Sequence, residues 1–260
     1  MVGVIGIAGC GRMGFGMLAN LRKAGFDARG FDVRPMAGVG QDVAAFADGL
    51  ETLITVVRDS AETDAVLFEE QALVRSASDL KRIVISSTLS PRYVKALRAR
   101  VPDRITLIDA PMSGAQVKAE AGTLTFMTGG PADQVMPALQ AMGTTIHDMG
   151  DFGAGMTAKV LNNLLAASHT AMTRLVLDWA DMQGLDEGKL LALINTASGQ
   201  NWLASGFNEI EFARDGYAED NSIGILFKDV AAALDIAGGA DTSLPRAVQQ
   251  AIRQLQPRAT

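Results

Sequence analysis

The chain has 260 residues, 48% hydrophobic and 20% charged, which is enough to bury one large core or two unequal ones and too apolar for a disordered chain. Its formal net charge of -6 and pI near 5.0 exclude a general nucleic-acid binder, whose phosphate contacts draw on clustered Lys and Arg. The one cysteine, Cys10, excludes an intramolecular disulfide framework and a multi-cysteine metal site, and no uncharged apolar run reaches the roughly 18 residues of a membrane span, so a cytoplasmic protein is expected.

The first element is an apolar run, Val4-Ile5-Gly6-Ile7-Ala8, leading directly into Gly9-Cys10-Gly11-Arg12-Met13-Gly14. A helical pattern follows through Met17, Leu18 and Leu21 to a stop at Gly25, and a second strand ends on Asp32. This is a βαβ opening with the glycine spacing of a dinucleotide site. Gly9 permits the tight turn, Gly11 lets the backbone approach the phosphates, and Gly14 lets helix and strand pack closely, with the pyrophosphate at the helix N-terminus. Cys10, Arg12 and Met13 complete the cofactor loop; the Cys10 side chain is read as a small filler of the turn rather than a reactive thiol. Asp32 can accept hydrogen bonds from the adenosine ribose, which predicts NAD over NADP. Arg34 is the counterweight, because a guanidinium there could pair with a 2′-phosphate.

Further strands are predicted at 52–57, 82–86, 105–109 and 124–128, with helical stretches at 61–74 and 91–99 between them. Val57, closing the third strand, joins the cofactor-binding residues. The alternation predicts an α/β Rossmann domain with a doubly wound parallel sheet over residues 1–153. Segment 35–49 is too short and glycine-rich to place. After the Gly150 to Gly155 loop the period changes to helical, so 154–260 reads as an all-helical substrate and oligomerisation domain. Its long first helix, 156–184, is apolar on most of its circumference and is expected to be buried on several sides, by its own domain, the first domain or a second subunit. Helices at 187–196, 203–212, 223–237 and 245–254 follow, and 256–260 reads as a frayed tail.

Two constellations carry chemistry. Lys159 and Asn163, four residues apart, project from one helix face near the helix start, where the dipole mildly opposes a cation. In Asp109-Ala110-Pro111-Met112-Ser113-Gly114 a strand ends in a turn able to present a hydroxyl and N–H groups to a carboxylate, though on these residues alone a plain turn is the better reading. His147 and His169 lack partners at ligand spacing, so no metal is proposed. Trp202 reads as a core residue rather than a cover for a cleft.

Together with Ser87-Thr88-Leu89-Ser90-Pro91, Gly122-Thr123-Leu124, the Gly153 to Asn163 run and Lys228-Asp229, these motifs resemble, in order, those of the β-hydroxyacid dehydrogenases, the family of 3-hydroxyisobutyrate dehydrogenase. The resemblance implies an oxidoreductase moving a hydride between NAD(P) and a small 3-hydroxy acid or semialdehyde, in a cleft between a Rossmann and a helical domain. It implies Lys159 as catalytic acid/base and Ser113 and Gly114 as holders of the substrate carboxylate. Asn163 would orient the substrate, Thr88 would lie near the nicotinamide, and Lys228 would contact cofactor or substrate. It also implies a homodimer or homotetramer joined through the helical domain. The chain departs from the family pattern at Ser113-Gly114-Ala115, where many members have Ser-Gly-Gly, and at Ile85, where an acid is frequent. Lys118-Ala119 is similar to the tartronate semialdehyde reductase and threonate dehydrogenase branches, while Lys118 reads equally well as a solvated loop residue.

Neutral Lys159 would take the hydroxyl proton as hydride leaves; burial and the oxidised nicotinamide would make that neutral form accessible. The rival from another functional class is a non-catalytic dinucleotide-binding scaffold or sensor, which would have no use for an amine at 159.

Overall fold

The computed structural model describes residues 3–259. The chain divides into two compact units, one ending at Lys159 and the other starting at Val160. The first unit opens with β1 (Val4–Ala8), α1 (Arg12–Lys23) and β2 (Ala28–Phe31), then runs through α2 (Val43–Ala47), β3 (Leu50–Thr55), α3 (Ser60–Leu67), α4 (Leu73–Ser76), β4 (Arg82–Ile85), α5 (Pro91–Ala96) and β5 (Thr106–Asp109). These five strands are all parallel, in the order β2-β1-β3-β4-β5. The winding reverses between β1 and β3, which makes the crevice beyond their carboxyl ends the switch point where doubly wound sheets bind ligands. Both faces of the sheet are buried. Ile5, Ile7, Ile54, Val84 and Ile108 pack with Met17, Leu18 and Leu21 in one cluster, while Leu53, Ile83 and Ile85 pack with Phe46, Leu67, Val94 and Leu97 in the other. That is why the strands read as nearly continuous aliphatic runs, each fully buried Leu or Ile contributing roughly 1.5–3 kcal/mol.

The predicted strand 124–128 forms, but not in this sheet. After β6 (Met112–Ser113) and α6 (Ala115–Ala121), β7 (Leu124–Thr128), α7 (Met136–Met142) and β8 (Gly143–Asp148) complete a second sheet of order β6-β7-β8, antiparallel then parallel, bridged to β5 at Asp109 and Gly129. β8 escaped the sequence reading because an edge strand largely open to solvent needs no apolar alternation. Lys118, left open between loop and site, stands exposed on α6. The unplaced segment 35–49 yields α2, capped by the Asp42 carboxylate on the Ala44 and Ala45 N–H groups. The helical stretch 61–74 is two helices, parted by a left-handed turn at Ala72.

α8 (Ala154–Met182) carries the chain into the second unit, where α9 (Glu187–Thr196), α10 (Trp202–Ser205), α11 (Ser222–Leu234) and α12 (Ser243–Arg253) follow. Ala167 and Ala171 pack with Ile223, Val230, Val248 and Ile252, and Leu177 packs with Leu191, Leu203 and Phe207. The predicted helix 203–212 ends at once, capped at Gly206, where a Cβ would press on Ile210. Three expectations change in this unit. α8 is two-faced: Leu161, Leu165, Met172, Leu175, Trp179 and Met182 are exposed. Trp202 is a boundary residue, 37% exposed, whose indole N–H donates to the Ala166 carbonyl at 3.3 Å. The C-terminal segment is anchored: Arg258 pairs with Asp178, Asp181 and Glu187, and Arg174 donates to the Gln256 carbonyl. Among the described residues no helix is long and apolar enough to cross a membrane.

Candidate cofactor and active site

The loop between β1 and α1 divides its glycines by what surrounds them. Gly9 has a φ of +92°, and a Cβ there would press on the Val56 carbonyl; a Cβ on Gly14 would collide with the Gly9 carbonyl. A Cβ on Gly11 would meet only the Arg34 guanidinium, at 3.5 Å. The loop backbone is therefore packed on one side and open on the other. Gly11 caps α1 without any side-chain hydrogen bond, and the first turn holds no acid, so its N–H groups and the positive end of the helix dipole suit an anion. Beside it lies a cleft of about 440 Å³ lined by Gly11, Arg12, Phe15, Arg34, Met36 and Gln116. The open glycine turn, the uncapped helix start and the cleft are together a set that would suit a dinucleotide. Met13 leans on the core, and Val57 packs beside Gly9. The Cys10 thiol is fully buried, pointing to the Ile7 carbonyl, and burial and then Asp32 push its pKa up to about 12, so it is an unreactive filler.

Asp32, just past β2, is 5% exposed and fully engaged. Oδ1 accepts from the Arg34 N–H and Nε, both at 3.0 Å, and Oδ2 accepts from the Cys10 N–H at 2.9 Å and Arg34 Nη2 at 3.1 Å. Burial alone would raise this carboxyl, but the Arg34 and Cys10 bonds outweigh it and hold it below the usual carboxylate range. The Arg34 side chain is itself 66% exposed. The guanidinium thus covers both Asp32 oxygens from the solvent side.

At the carboxyl edge of the sheet, Thr88 follows the buried pair Ser86 and Ser87 after β4, and Ser113 closes β6. Gly114, with φ +142°, and Ala115, with φ +53°, form the strained entry to α6. Lys159 lies in the second turn of α8 and is buried, 7% exposed. The start of α8 is fastened by Asp109, the last residue of β5, which is fully buried: Oδ1 accepts from the Gly153 N–H at 2.6 Å and Oδ2 from the Met156 N–H at 2.5 Å. Met156 Sδ in turn accepts from the Leu89 N–H at 3.3 Å. Burial pushes the Asp109 carboxyl upward against these backbone bonds.

Asn163, one turn beyond Lys159 on α8, is buried in the second unit and donates from Nδ2 to Asp229 Oδ2 at 2.6 Å. Its Oδ1 accepts from Asn162 at 3.3 Å, so the amide has a fixed orientation. Lys228, next to Asp229 on α11, is exposed. Sequence reasoning left Asp109, Met156 and Asp229 without roles. Their signal was faint, an acid at a strand end, a methionine opening an apolar helix and an acid beside a candidate lysine; their partners lie 44, 67 and 66 residues away in sequence.

Residues 4–150 match the NAD-binding domain of 6-phosphogluconate dehydrogenase, and residues 153–259 match the NAD-binding family of NADP-dependent 3-hydroxyisobutyrate dehydrogenase. A 3-hydroxyisobutyrate dehydrogenase of Pseudomonas aeruginosa is 32% identical, the match covering 93% of this chain and 87% of that protein. An L-threonate dehydrogenase of Cupriavidus necator is 30% identical over 93% and 86%. Among solved structures, the 3-hydroxyisobutyrate dehydrogenase of Mycobacterium tuberculosis with L-serine superposes with a TM-score of 0.81 at 25% identity, covering 98% of this chain and 97% of that one. With a Rossmann unit that suits a dinucleotide, and with relatives matched along nearly its whole length, the chain belongs to the β-hydroxyacid dehydrogenases, the NAD(P)-dependent family of 3-hydroxyisobutyrate dehydrogenase.

Proposed function

We propose that this protein interconverts a small 3-hydroxy acid and its semialdehyde, with Lys159 as the acid/base. The observation that carries the reading is a buried lysine in the second turn of α8, on the unit that holds the dinucleotide loop. A lysine is rarely buried without a function or a partner. The Gly9 to Gly14 loop would hold the pyrophosphate, with Val57 and Thr88 nearby, and the bound nicotinamide supplies a carbon that accepts or returns a hydride. In oxidation the Lys159 amine takes the proton of the substrate hydroxyl while the C–H bond of the same carbon breaks. In reduction the ammonium gives that proton to the carbonyl oxygen. Ser113 and the Gly114 backbone would hold the substrate carboxylate, Asn163, its amide fixed by Asp229, would orient the carbon chain, and Lys228 would meet cofactor or substrate from α11.

NAD is the proposed cofactor, because a buried, ionised Asp32 repels a 2′-phosphate once Arg34 swings away. The physiological unit is proposed as a homo-oligomer. Leu161, Leu165, Met172, Leu175, Trp179 and Met182, exposed on α8, follow alternating steps of three and four with Ser168 in the gap, the spacing of a helix seam that packs against another. A compartment holding small hydroxy acids and reduced thiols is proposed, the cytoplasm. Domain limits of 1–153 and 154–260 are proposed from the start of α8, while the compact units part within that helix at Lys159.

Lys159→Ala tests the reading. In assays of NADH formation with 3-hydroxyisobutyrate, L-threonate and L-serine, it should lower kcat by about two to four orders of magnitude and leave NADH affinity, read by fluorescence titration, nearly unchanged. Near-wild-type kcat on the best substrate would remove Lys159 from the mechanism.

A further inference from the structure

The most constrained polar group of the first unit is the Asp109 carboxylate. It has no water contact, and both oxygens are taken by main-chain N–H groups at the start of α8, Gly153 at 2.6 Å and Met156 at 2.5 Å. Its surroundings are built to admit nothing larger. A Cβ on Gly129 would overlap Asp109 Oδ1, and one on Gly155 would lie 3.0 Å from Oδ2 while striking the Met127 carbonyl. Its own main chain is tied twice to Gly129, at 3.0 and 2.8 Å. A helix cap alone could be exposed and still stabilise. Burying an anion is costly; this one is hydrogen-bonded by main chain, with Lys95 acting on it through its charge, and a cap with a single acceptor would avoid that cost but could not hold both N–H groups.

What the carboxylate joins is the candidate active site. Met156 donates its N–H to Asp109 and accepts the Leu89 N–H at its sulfur. Leu89 follows Thr88, and Lys159 stands three residues after Met156, about 4.5 Å along the helix axis. Asp109 itself is four residues before Ser113. The loop of the nicotinamide candidate and the helix start of the proton-transfer candidate are therefore joined through Met156 to one buried group, which itself lies four residues before the carboxylate-holding candidate.

We propose that Asp109 is a positioning residue for hydride transfer: by clamping the first turn of α8 to the end of β5 and, through Met156, to the loop after β4, it fixes Lys159 relative to Thr88 and Ser113. The proposal rests on Lys159 being the acid/base. Asp109→Asn keeps the shape and one acceptor but turns an NH₂ toward a main-chain N–H, so the first turn of α8 must shift. A displacement near 1 Å at a reacting group costs about 10²-fold. Kcat should fall about 10- to 100-fold, with NADH affinity within about twofold of wild type. The primary deuterium isotope effect, measured with 3-hydroxyisobutyrate deuterated at C3, should rise toward its intrinsic value as the chemical step becomes limiting.

A merely structural role would lower the fraction of active enzyme, counted by NADH titration, and leave the isotope effect and KM unchanged; that result overturns the proposal, as does unchanged kcat. Met156→Leu, which keeps the volume and removes the sulfur acceptor, gives an independent reading should Asp109→Asn not fold. It should lower kcat about 3- to 10-fold with a raised isotope effect, and unaltered values would refute the clamp. Lys159→Ala in the same series separates the two ideas. If it stays active the acid/base reading fails, whereas if it is inactive while Asp109→Asn and Met156→Leu behave as wild type, only the positioning inference fails.

Discussion

Ala115→Gly should make this protein more stable, against the usual direction of a glycine substitution in a helix. Ala115 opens α6 with φ +53°, in the left-handed region, directly after Gly114 at φ +142°. A left-handed Ala costs roughly 1–2 kcal/mol because its Cβ crowds the following carbonyl. Glycine removes that cost and adds the entropy of a more flexible unfolded chain, about 0.5–1 kcal/mol. The methyl is exposed, so no buried contact is lost. The balance is a gain of about 0.5–1 kcal/mol, or about 1–4 °C in Tm for a chain of this size. The strain adjoins Ser113, the candidate carboxylate contact, and relaxing it should loosen that loop, so KM for the hydroxy acid should rise while Tm rises. Differential scanning fluorimetry and steady-state kinetics on one preparation read both quantities. Ala72→Gly is the control: its φ of +46° gives the same backbone relief, but its side chain is buried and lies far along the chain from the loop, so Tm should change less and KM not at all. A Tm below wild type for Ala115→Gly would refute the strain argument, and an unchanged KM would refute its link to the substrate loop.

Arg34→Ala takes the guanidinium off both Asp32 oxygens, leaving only their main-chain N–H partners, and removes one of the two guanidinium groups, with that of Arg12, that line the cleft, so the ratio of kcat/KM for NAD over NADP should increase about 10-fold or more; a shift toward NADP would show that Arg34 excludes rather than accommodates the phosphate. Arg258→Ala removes a largely buried guanidinium shared by Asp178, Asp181 and Glu187, and with two of those carboxylates more than half exposed the loss should be about 1 kcal/mol, seen as a Tm lower by about 2–4 °C; no change would mean the anchored tail adds nothing to stability. Light scattering should give at least twice the chain mass of 27.3 kDa, reduced to that mass by Leu165→Asp with Met172→Asp, and a wild-type peak at 27.3 kDa would contradict assembly through this face.

The first thirty-four residues were the most legible part of the chain. The glycine roles depend on spacing and local sterics alone, and the same spacing put Asp32 just past β2, where it accepts the Cys10 N–H of the glycine loop. The aliphatic strands were legible because both sheet faces are covered, leaving no alternation to misread. β8 and the second sheet were not, since an exposed edge strand such as Gly143–Asp148 borrows its structure from its neighbour rather than from its own pattern. The tail was misread for the related reason that Arg258 finds its three carboxylates by folding back onto α8 and α9, and a short polar terminus gives no sign of this. Lys159 and Asn163 were legible as a pair because helical spacing puts them one turn apart, but the groups bonded to Asn163 and to the start of α8 belong to distant segments. Asp229 is 66 residues from Asn163, and Asp109 is 47 from Met156.

Asp32 and Asp109 are the same residue at the same kind of place, set in two different surroundings. Each stands at the carboxyl edge of a parallel strand, and each accepts main-chain N–H groups from a glycine-rich turn that opens a helix, Cys10 in one case and Gly153 and Met156 in the other. Asp32 also has an exposed cation, and its carboxyl is held low; Asp109 has main-chain donors and no salt bridge among the described residues, and burial pushes its carboxyl up. An exposed arginine can leave and be replaced by a ligand at little cost, so the Asp32 site can answer to what binds. Main-chain donors cannot leave without unfolding the helix start, so the Asp109 site cannot answer to anything and serves to hold a frame. On this reasoning cofactor choice should be easy to alter near Asp32, whereas changes around Asp109 should alter rate rather than preference.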